Sequence, residues 1–315
     1  MNKIVILDSA TTSDDIHVWD PLKAYGEVIV YHFSRPEDIP SRIADAWAVL
    51  TNKAALHASD FDAAKKLKYV GVLATGYNII DLDAACKNGV RVCNVPSYST
   101  DAVAQMVFAL LLELTNRVGA HAAEVKAGRW EQSELFTFRL CPIPELAGKT
   151  LGILGFGHIG SRVAQIAQAF GMHVITTSSR ELPADVERVS MEEMMRRSDV
   201  LSLNCALTPD RLKIINATTL ALMKPTALII NTARGGLIDE AALAEALKEG
   251  KIAGAGLDVL TQEPPRDGSP LLQAPNCIIT PHIAWQSTEA ISRLLKITEQ
   301  NLKAFAAGKP QNRVS

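Results

Sequence analysis

At 315 residues, 48% hydrophobic and 21% charged, with a formal net charge of -2, the chain has the makeup of a globular protein of about two domains. It carries no dense Lys/Arg run, which argues against nucleic acid or an anionic membrane surface as its main partner. Nothing approaches the ~18 consecutive apolar residues of a membrane span, because the most apolar helix-like run, Met106 to Leu114, already contains Glu113.

The first apolar stretch, Ile4–Leu7, ends too soon for a signal peptide and reads as a strand. Further strands are predicted at Glu27–Tyr31, Ala48–Leu50, Tyr69–Leu73 and Arg91–Asn94, with helices at Ser59–Leu67 and Asp81–Asn88 between them. Alternation of this kind predicts a parallel sheet with helices on its faces. Pro96 and the polar run Ser97–Thr100 break the pattern, and Asp101–Thr115 then reads as a long helix. Residues 119 to 149 differ: Gly128, Pro142 and Pro144 interrupt them, and Trp130, Phe136 and Phe138 lie there. They read as an arm or connection.

From Lys149 the pattern restarts. Leu151–Leu154 reads as a buried strand, followed by the G-x-G-x-x-G loop Gly155, Phe156, Gly157, His158, Ile159, Gly160 and a helix over Ser161–Phe170. Strand, glycine loop and helix in that order suit a dinucleotide pyrophosphate. Gly155 permits the tight turn, Gly157 lets the backbone approach the phosphates, and Gly160 lets helix and strand pack closely. Strands follow at Val174–Thr177, Val200–Asn204, Ala227–Asn231, Gly254–Asp258 and Cys277–Thr280, with helices at Leu212–Met223 and Glu240–Glu249. That makes six parallel strands. The tail, Ser287–Ala307, reads as one helix that returns to the first domain and makes it discontinuous.

The expected fold class is therefore α/β, with two doubly wound parallel-sheet domains: a flavodoxin-like domain, 1–99 with 287–315, and a Rossmann dinucleotide-binding domain, 100–286, including the arm 119–149. The five cysteines are scattered, odd in number and form no C-x-x-C pair. They read as buried free thiols of a reducing cytosol, with no metal site.

In an open α/β sheet the ligand lies beyond the carboxyl ends of the strands. Arg234, Glu263 and His282 follow three successive strands there. Each has a plain structural alternative: a solvated loop Arg, an exposed turn Glu, a hydrogen-bonded structural His. Together they are a cation, a carboxylate and an imidazole. Carbonyl reduction by hydride needs an acid to protonate the oxygen, a group that sustains that acid, and a cation that polarises the substrate.

The segments Leu146–Gly160, Met223–Leu237, Ile252–Pro264 and Thr280–Ala284, with Ala74-Thr75-Gly76-Tyr77-Asn78 upstream, resemble the D-2-hydroxyacid dehydrogenase family over nearly the whole length. Ala74–Asn78 and His282–Trp285 are most similar to its glycerate dehydrogenase (hydroxypyruvate reductase) branch. The resemblance implies a hydride transfer between NAD(P)H and a small 2-oxoacid, hydroxypyruvate or glyoxylate, giving D-glycerate or glycolate. It assigns His282 as proton donor, Glu263 as the group that keeps it protonated, and Arg234 as the clamp on the substrate carboxylate. Ala74, Thr75 and Gly76 would offer backbone N–H groups to that carboxylate. His158, Ile159, Thr232 and Ala233 join the glycines as cofactor contacts. Asp258 would meet the nicotinamide carboxamide, or else caps a strand-to-loop turn. A homodimer is expected, joined through the arm and the helix Asp101–Thr115.

One departure concerns the cofactor. NAD-binding members carry an acid after the second strand, about 20 residues past the glycines. Here Ser178, Ser179 and Arg180 stand there, and the first acid is Glu181. Small hydroxyls and an Arg suit a 2′-phosphate, so NADP(H) is favoured and NAD(H) possible; the alternative is an Arg180 that is merely exposed. A dinucleotide-sensing corepressor shares the fold and the Arg/Glu/His set, but the chain lacks the long polar tails and basic patches of such a protein. A dehydrogenase of a non-carbon acid such as phosphite would need other substrate-loop residues.

Overall fold

The computed structural model describes residues 2–315. Its contacts divide the chain into two units, Met1–Ser99 with Gln286–Ser315, and Thr100–Trp285.

In the first unit, strands β1 (Lys3–Ile6), β2 (Glu27–Val30), β3 (Ala48–Thr51), β4 (Tyr69–Val72) and β5 (Arg91–Cys93) form one sheet in the order β2-β1-β3-β4-β5. Every pairing is parallel, with Val5 opposite Ile29 and Val49. The central strands are buried on both faces, which is why they read as near-continuous apolar runs and not as alternations. The helix expected over Ser59–Leu67 is shorter, Ala58–Ala63, because Ala64 leaves helical geometry with ψ 70°. A 3₁₀ segment, Ile16–Ala24, was not anticipated; Pro21 lies inside it.

The tail helix, Thr288–Ala306, packs in this unit. Phe305 lies 4.9 Å from the Tyr69 ring and 5.4 Å from Trp47, while Arg293 Nε donates to the Tyr98 carbonyl at 2.8 Å. Beyond it the chain pairs with β5, where Val314 N–H donates to the Val92 carbonyl and Asn94 N–H to the Asn312 carbonyl. Asn301 links tail and strand end through its amide, donating to the Asn94 carbonyl at 2.9 Å.

The second unit holds β6 (Thr150–Leu154), β7 (His173–Thr176), β8 (Val186–Arg188), β9 (Val200–Leu203), β10 (Leu228–Asn231), β11 (Gly254–Leu257) and β12 (Cys277–Ile279). They form a parallel seven-stranded sheet in the order β12-β11-β10-β9-β6-β7-β8, one strand more than expected. The unforeseen strand is β8, three residues of which only Val186 is buried, so it carries no hydrophobic run to read. Strand order reverses between β6 and β9, which is where a doubly wound sheet opens its crevice.

Two helices differ from expectation. The glycine-loop helix spans His158–Ala169, three residues earlier than expected, with Gly157 as its N-cap. The helix expected over Leu212–Met223 is one turn, Ala217–Leu220, because Lys213 adopts a left-handed φ of 52° and the Asn216 side chain caps Thr218 and Thr219 N–H. Helix Thr100–Asn116 buries Val103, Val107, Leu110 and Leu111.

The arm begins with a helix, Val118–Lys126, and then folds on itself: Trp130 Nε1 donates to the Phe136 carbonyl at 3.0 Å, and the Arg129 guanidinium lies over the Phe138 ring. Among the described residues no single helix is long and apolar enough to cross a membrane; helices Thr100–Asn116 and Val118–Lys126 reach that length and composition only as a pair bent by 54°. All five cysteines are free, but only Cys93 and Cys205 are buried, and Cys86 is exposed, contrary to the expectation of buried thiols.

Candidate active site

All three candidate catalytic residues leave neighbouring strands of the seven-stranded sheet. Arg234 follows β10, Glu263 follows β11 and His282 follows β12, and these strands are adjacent and parallel, so their carboxyl ends adjoin.

The structure brings Glu263 and His282 into direct contact, with Glu263 Oε2 2.6 Å from His282 Nδ1. The other carboxylate oxygen, Oε1, accepts from the Leu260 N–H at 2.9 Å, which fixes the carboxylate plane. The loop that carries Glu263 is tied down in turn by Glu240, from the first turn of helix Glu240–Lys248. Its Oε1 accepts from Thr261 N–H at 2.6 Å and its Oε2 from the Ser269 hydroxyl at 2.5 Å. With Nδ1 engaged, Nε2 is the ring atom left to meet a substrate oxygen.

His282 itself sits at φ 56°, in the left-handed region that side-chain-bearing residues rarely adopt. The buried carboxylate of Asp258, at the end of β11, holds this turn. Its Oδ1 accepts from the Thr280 hydroxyl at 2.6 Å and Ile283 N–H at 2.9 Å, and its Oδ2 from Ala284 N–H at 2.8 Å. Burial pushes the Asp258 carboxyl above its ordinary range, more than these bonds lower it.

Arg234 is half-buried. Its Nη1 donates to the Ala233 carbonyl at 2.7 Å, and among the described residues its guanidinium forms no ion pair. Asn231 shapes the loop before it, accepting from Ala233 N–H and donating to the Arg234 carbonyl, both at 2.9 Å. Gly235 must lack a side chain, since a Cβ there would collide with the backbone of Leu260. That close approach sets the Arg234 loop against the residue whose N–H holds Glu263.

The glycine loop also fits its expected ligand. Gly155 has φ 99° and abuts the Asn204–Cys205 backbone, and a Cβ on Gly160 would collide with the Gly155 carbonyl oxygen. A Cβ on Gly157, by contrast, would meet nothing within 4 Å; it would stand in open space. That space belongs to a cavity of about 450 Å³ lined by Phe156, Gly157, His158, Ser161, Arg162 and Arg180, among others. Helix N–H groups at His158, Ile159 and Gly160 have no partner within their own helix. Two buried polar atoms at strand ends, Thr232 Oγ1 and Asn204 Nδ2, also lack partners among the described residues. Orphaned donors, a helix N-terminus and a side-chain-free cradle are what a dinucleotide would satisfy.

At the end of β7, Ser178 is half-buried, while Ser179 and Arg180 are exposed. Ser178 Oγ accepts from Arg180 N–H at 3.2 Å. No local pattern singles out Arg188, on the unforeseen β8. Its Nε donates to the Ser178 carbonyl at 2.7 Å and its Nη2 to the Arg180 carbonyl at 2.5 Å, so one guanidinium braces both ends of this loop. Glu181 lines the same cavity.

In the first unit, Ala74, Thr75 and Gly76 form a loop beyond β4. Val95 N–H donates to the Ala74 carbonyl at 3.0 Å, Asn94 Nδ2 to the Thr75 carbonyl at 2.8 Å, and the Thr75 hydroxyl to the Val95 carbonyl at 2.9 Å.

Comparison with known proteins gives a consistent picture. Residues 108–284 match the family described as D-isomer specific 2-hydroxyacid dehydrogenase, NAD binding domain. A hydroxypyruvate reductase of Blautia hydrogenotrophica is 42% identical over 99% of each chain. A glycerate dehydrogenase of Methylorubrum extorquens is also 42% identical, over 88% of each chain. Among solved structures, an acyclic imino acid reductase in complex with NADPH and D-Arg superposes with a TM-score of 0.88 at 33% identity, covering 99% of this chain and 100% of its own.

Proposed function

This chain belongs to the D-isomer specific 2-hydroxyacid dehydrogenase family, and on that premise we propose that it reduces hydroxypyruvate and glyoxylate to D-glycerate and glycolate. It is an NAD(P)-dependent oxidoreductase of small 2-oxoacids, and the similarity to a hydroxypyruvate reductase and a glycerate dehydrogenase supports the narrower substrate. The observation that carries the chemistry is the 2.6 Å contact between Glu263 and His282, with an Arg234 after the next strand that forms no ion pair among the described residues.

When bound, NAD(P)H would supply the hydride for the C2 carbon. His282, protonated and held at Nδ1 by Glu263, gives its Nε2 proton to the oxygen on which negative charge develops. Arg234 grips the substrate carboxylate with its fork of donors and polarises the carbonyl. Backbone N–H groups of Ala74, Thr75 and Gly76 complete the carboxylate site. In the reverse direction His282, neutral, accepts the hydroxyl proton.

Gly155, Gly157, His158, Ile159 and Gly160 would hold the pyrophosphate of a dinucleotide, and Thr232, Ala233 and Asp258 would contact its nicotinamide end. Residues 1–99 with 287–315 form the substrate-binding domain, and 100–286 the dinucleotide-binding domain. NADP(H) is the favoured cofactor and NAD(H) the lesser one, since Ser178, Ser179 and Arg180 offer hydroxyls and a cation where an acid would select NAD. The protein works in the cytoplasm as a homodimer joined through the arm 119–149. The arm leaves Phe136 89% exposed and Leu135 71%, more apolar surface than a monomer's loop ordinarily shows to water.

A panel of 2-oxoacids assayed by cofactor absorbance with NADH and NADPH separately tests the reading. Turnover with hydroxypyruvate at a higher kcat/KM than with pyruvate supports it; oxidation of neither cofactor with any 2-oxoacid overturns it. Light scattering at micromolar concentration gives the dimer mass, and a monomer mass removes that part.

A further inference from the structure

At the carboxyl end of β3 the chain buries an amide that has nothing to bond. Asn52 is 3% exposed, and among the described residues neither its Oδ1 nor its Nδ2 has a hydrogen-bond partner. Buried amides in folded proteins are almost always satisfied, so one with both ends open calls for an explanation, and a ligand is one.

The turn around it is not loose. The Asp8 carboxylate, at the end of β1 and itself 2% exposed, accepts from the N–H groups of Asn52 at 2.9 Å, Lys53 at 2.5 Å and Ala54 at 3.0 Å. The Thr51 hydroxyl donates to the Ala54 carbonyl at 2.7 Å. Four bonds fix the backbone, and the buried amide they carry is left without a partner among the described residues.

Its place in the sheet is informative. β3 lies beside β4, with Thr51 opposite Val72, and Leu73 N–H donates to the Thr51 carbonyl at 2.8 Å. Asn52 therefore follows β3 where Ala74 to Gly76 follow β4, on the ligand-facing edge of a parallel sheet. If that loop takes the substrate carboxylate, the adjacent strand end is the neighbouring place for a C3 substituent.

We propose that Asn52 reads the C3 hydroxyl of the substrate, Nδ2 donating to the hydroxyl oxygen and Oδ1 accepting its proton. The assignment rests on the hydroxypyruvate reading above and sharpens it. An amide can serve a hydroxyl in both senses. The methyl of pyruvate can satisfy neither atom, and glyoxylate has no C3 at all. A site with buried polar groups that only one substrate satisfies rejects the analogues that leave them unpaired.

The test compares wild type with Asn52→Leu and Asn52→Ser, measuring kcat/KM for hydroxypyruvate, pyruvate and glyoxylate. Wild type is expected to favour hydroxypyruvate over pyruvate by a factor of about 100 or more, as a site built around a substrate hydroxyl does. Asn52→Leu should lower that ratio by about 10-fold or more, chiefly through the KM for hydroxypyruvate, the usual effect of one lost hydrogen bond in a closed site. Its apo Tm should not fall, because Leu removes two unsatisfied polar atoms from a buried position. Asn52→Ser, which keeps a donor and an acceptor, should hold an intermediate ratio, and serves if the Leu variant does not fold. An unchanged ratio in a folded variant, or an equal loss with all three substrates, overturns the assignment while leaving the reductase reading in place. A wild type that reduces none of the three overturns both.

Discussion

Asp258 grips the chain that carries His282 without touching its ring. The carboxylate takes the N–H groups of Ile283 and Ala284, the two residues after His282, while the imidazole goes to Glu263. The two acids divide the work: one sets the backbone of a residue at φ 56°, the other sets the orientation of its side chain. A side-chain-bearing residue in that region persists where its surroundings over-determine it, and a buried carboxylate with two backbone donors does so. Asp258 Oδ2 accepts one bond, which leaves it a lone pair for a carboxamide as well.

Asp258→Ala should therefore impair the position of His282 and not only cofactor binding. It strands the Ile283 and Ala284 N–H groups in a buried turn, and stability should fall by about 1–3 kcal/mol. On the order of 10-fold or more should be lost from kcat even at saturating cofactor, since misplacing a proton donor slows the chemical step. Steady-state kinetics at saturating cofactor and urea denaturation measure the two effects. A defect confined to the KM for cofactor would show that the carboxylate serves only the ligand.

His282→Ala should cost roughly 10²–10⁴ in kcat, the ordinary worth of a positioned proton donor, with little change in cofactor affinity. Glu263→Gln removes the negative charge facing Nδ1 and should lower kcat for reduction, with little change in cofactor affinity. Arg234→Ala should mainly raise KM for the oxoacid, with some loss of kcat because the guanidinium also polarises the carbonyl. Near-normal turnover in Glu263→Gln or in His282→Ala would remove these roles.

Stability in acid should report on a pair away from the site. Asp199 accepts from Lys224 Nζ at 2.8 Å and from Thr150 N–H at 2.8 Å, joining the starts of β6 and β9. Burial raises this carboxyl, but the Lys224 and Thr150 bonds outweigh it and the net shift is downward from 3.8. A carboxyl with a depressed folded value adds stability above its unfolded value and loses it as pH falls through the folded one. Lys224→Met should thus lower stability at pH 7 by about 0.5–1 kcal/mol, discounted for the half-exposed lysine. The difference from wild type should shrink below pH 3.8. Urea midpoints at neutral and acid pH decide it: a deficit of equal size at both rules the pair out as its source.

The parallel sheets were legible because their central strands are buried on both faces and flanked by glycine, proline and polar turns. The Arg, Glu and His were legible because each follows a readable strand. β8 was not, since its pairing with β7 rests on backbone bonds that Val-Glu-Arg does not advertise. Arg188 went unseen with it. The short helix at Ala217–Leu220 was over-read because apolar spacing cannot register the left-handed turn at Lys213. Asp8 and Glu240, which fix loops far along the chain, act through tertiary bonds with no local pattern.

Cofactor choice is where the residue that sequence reading missed has the most to decide. Arg188 holds the carbonyls of Ser178 and Arg180, two residues apart, with one planar fork, and so fixes the loop that offers hydroxyls and a guanidinium beside the cavity. Arg188→Leu should loosen that loop and lower the NADPH-to-NADH ratio of kcat/KM by about 10-fold, the worth of one or two charge-assisted bonds. Arg188→Lys should not restore it, because a point ammonium cannot hold two carbonyls in a fixed plane. Ser178→Asp should push the preference toward NADH by placing like charge against a 2′-phosphate. Calorimetric binding of adenosine 2′,5′-bisphosphate against 5′-AMP reads the same contrast without turnover. A wild type with higher kcat/KM for NADH and no gain in affinity from the 2′-phosphate would show that Arg180 is only an exposed side chain and that Arg188 braces a loop with no say in the cofactor.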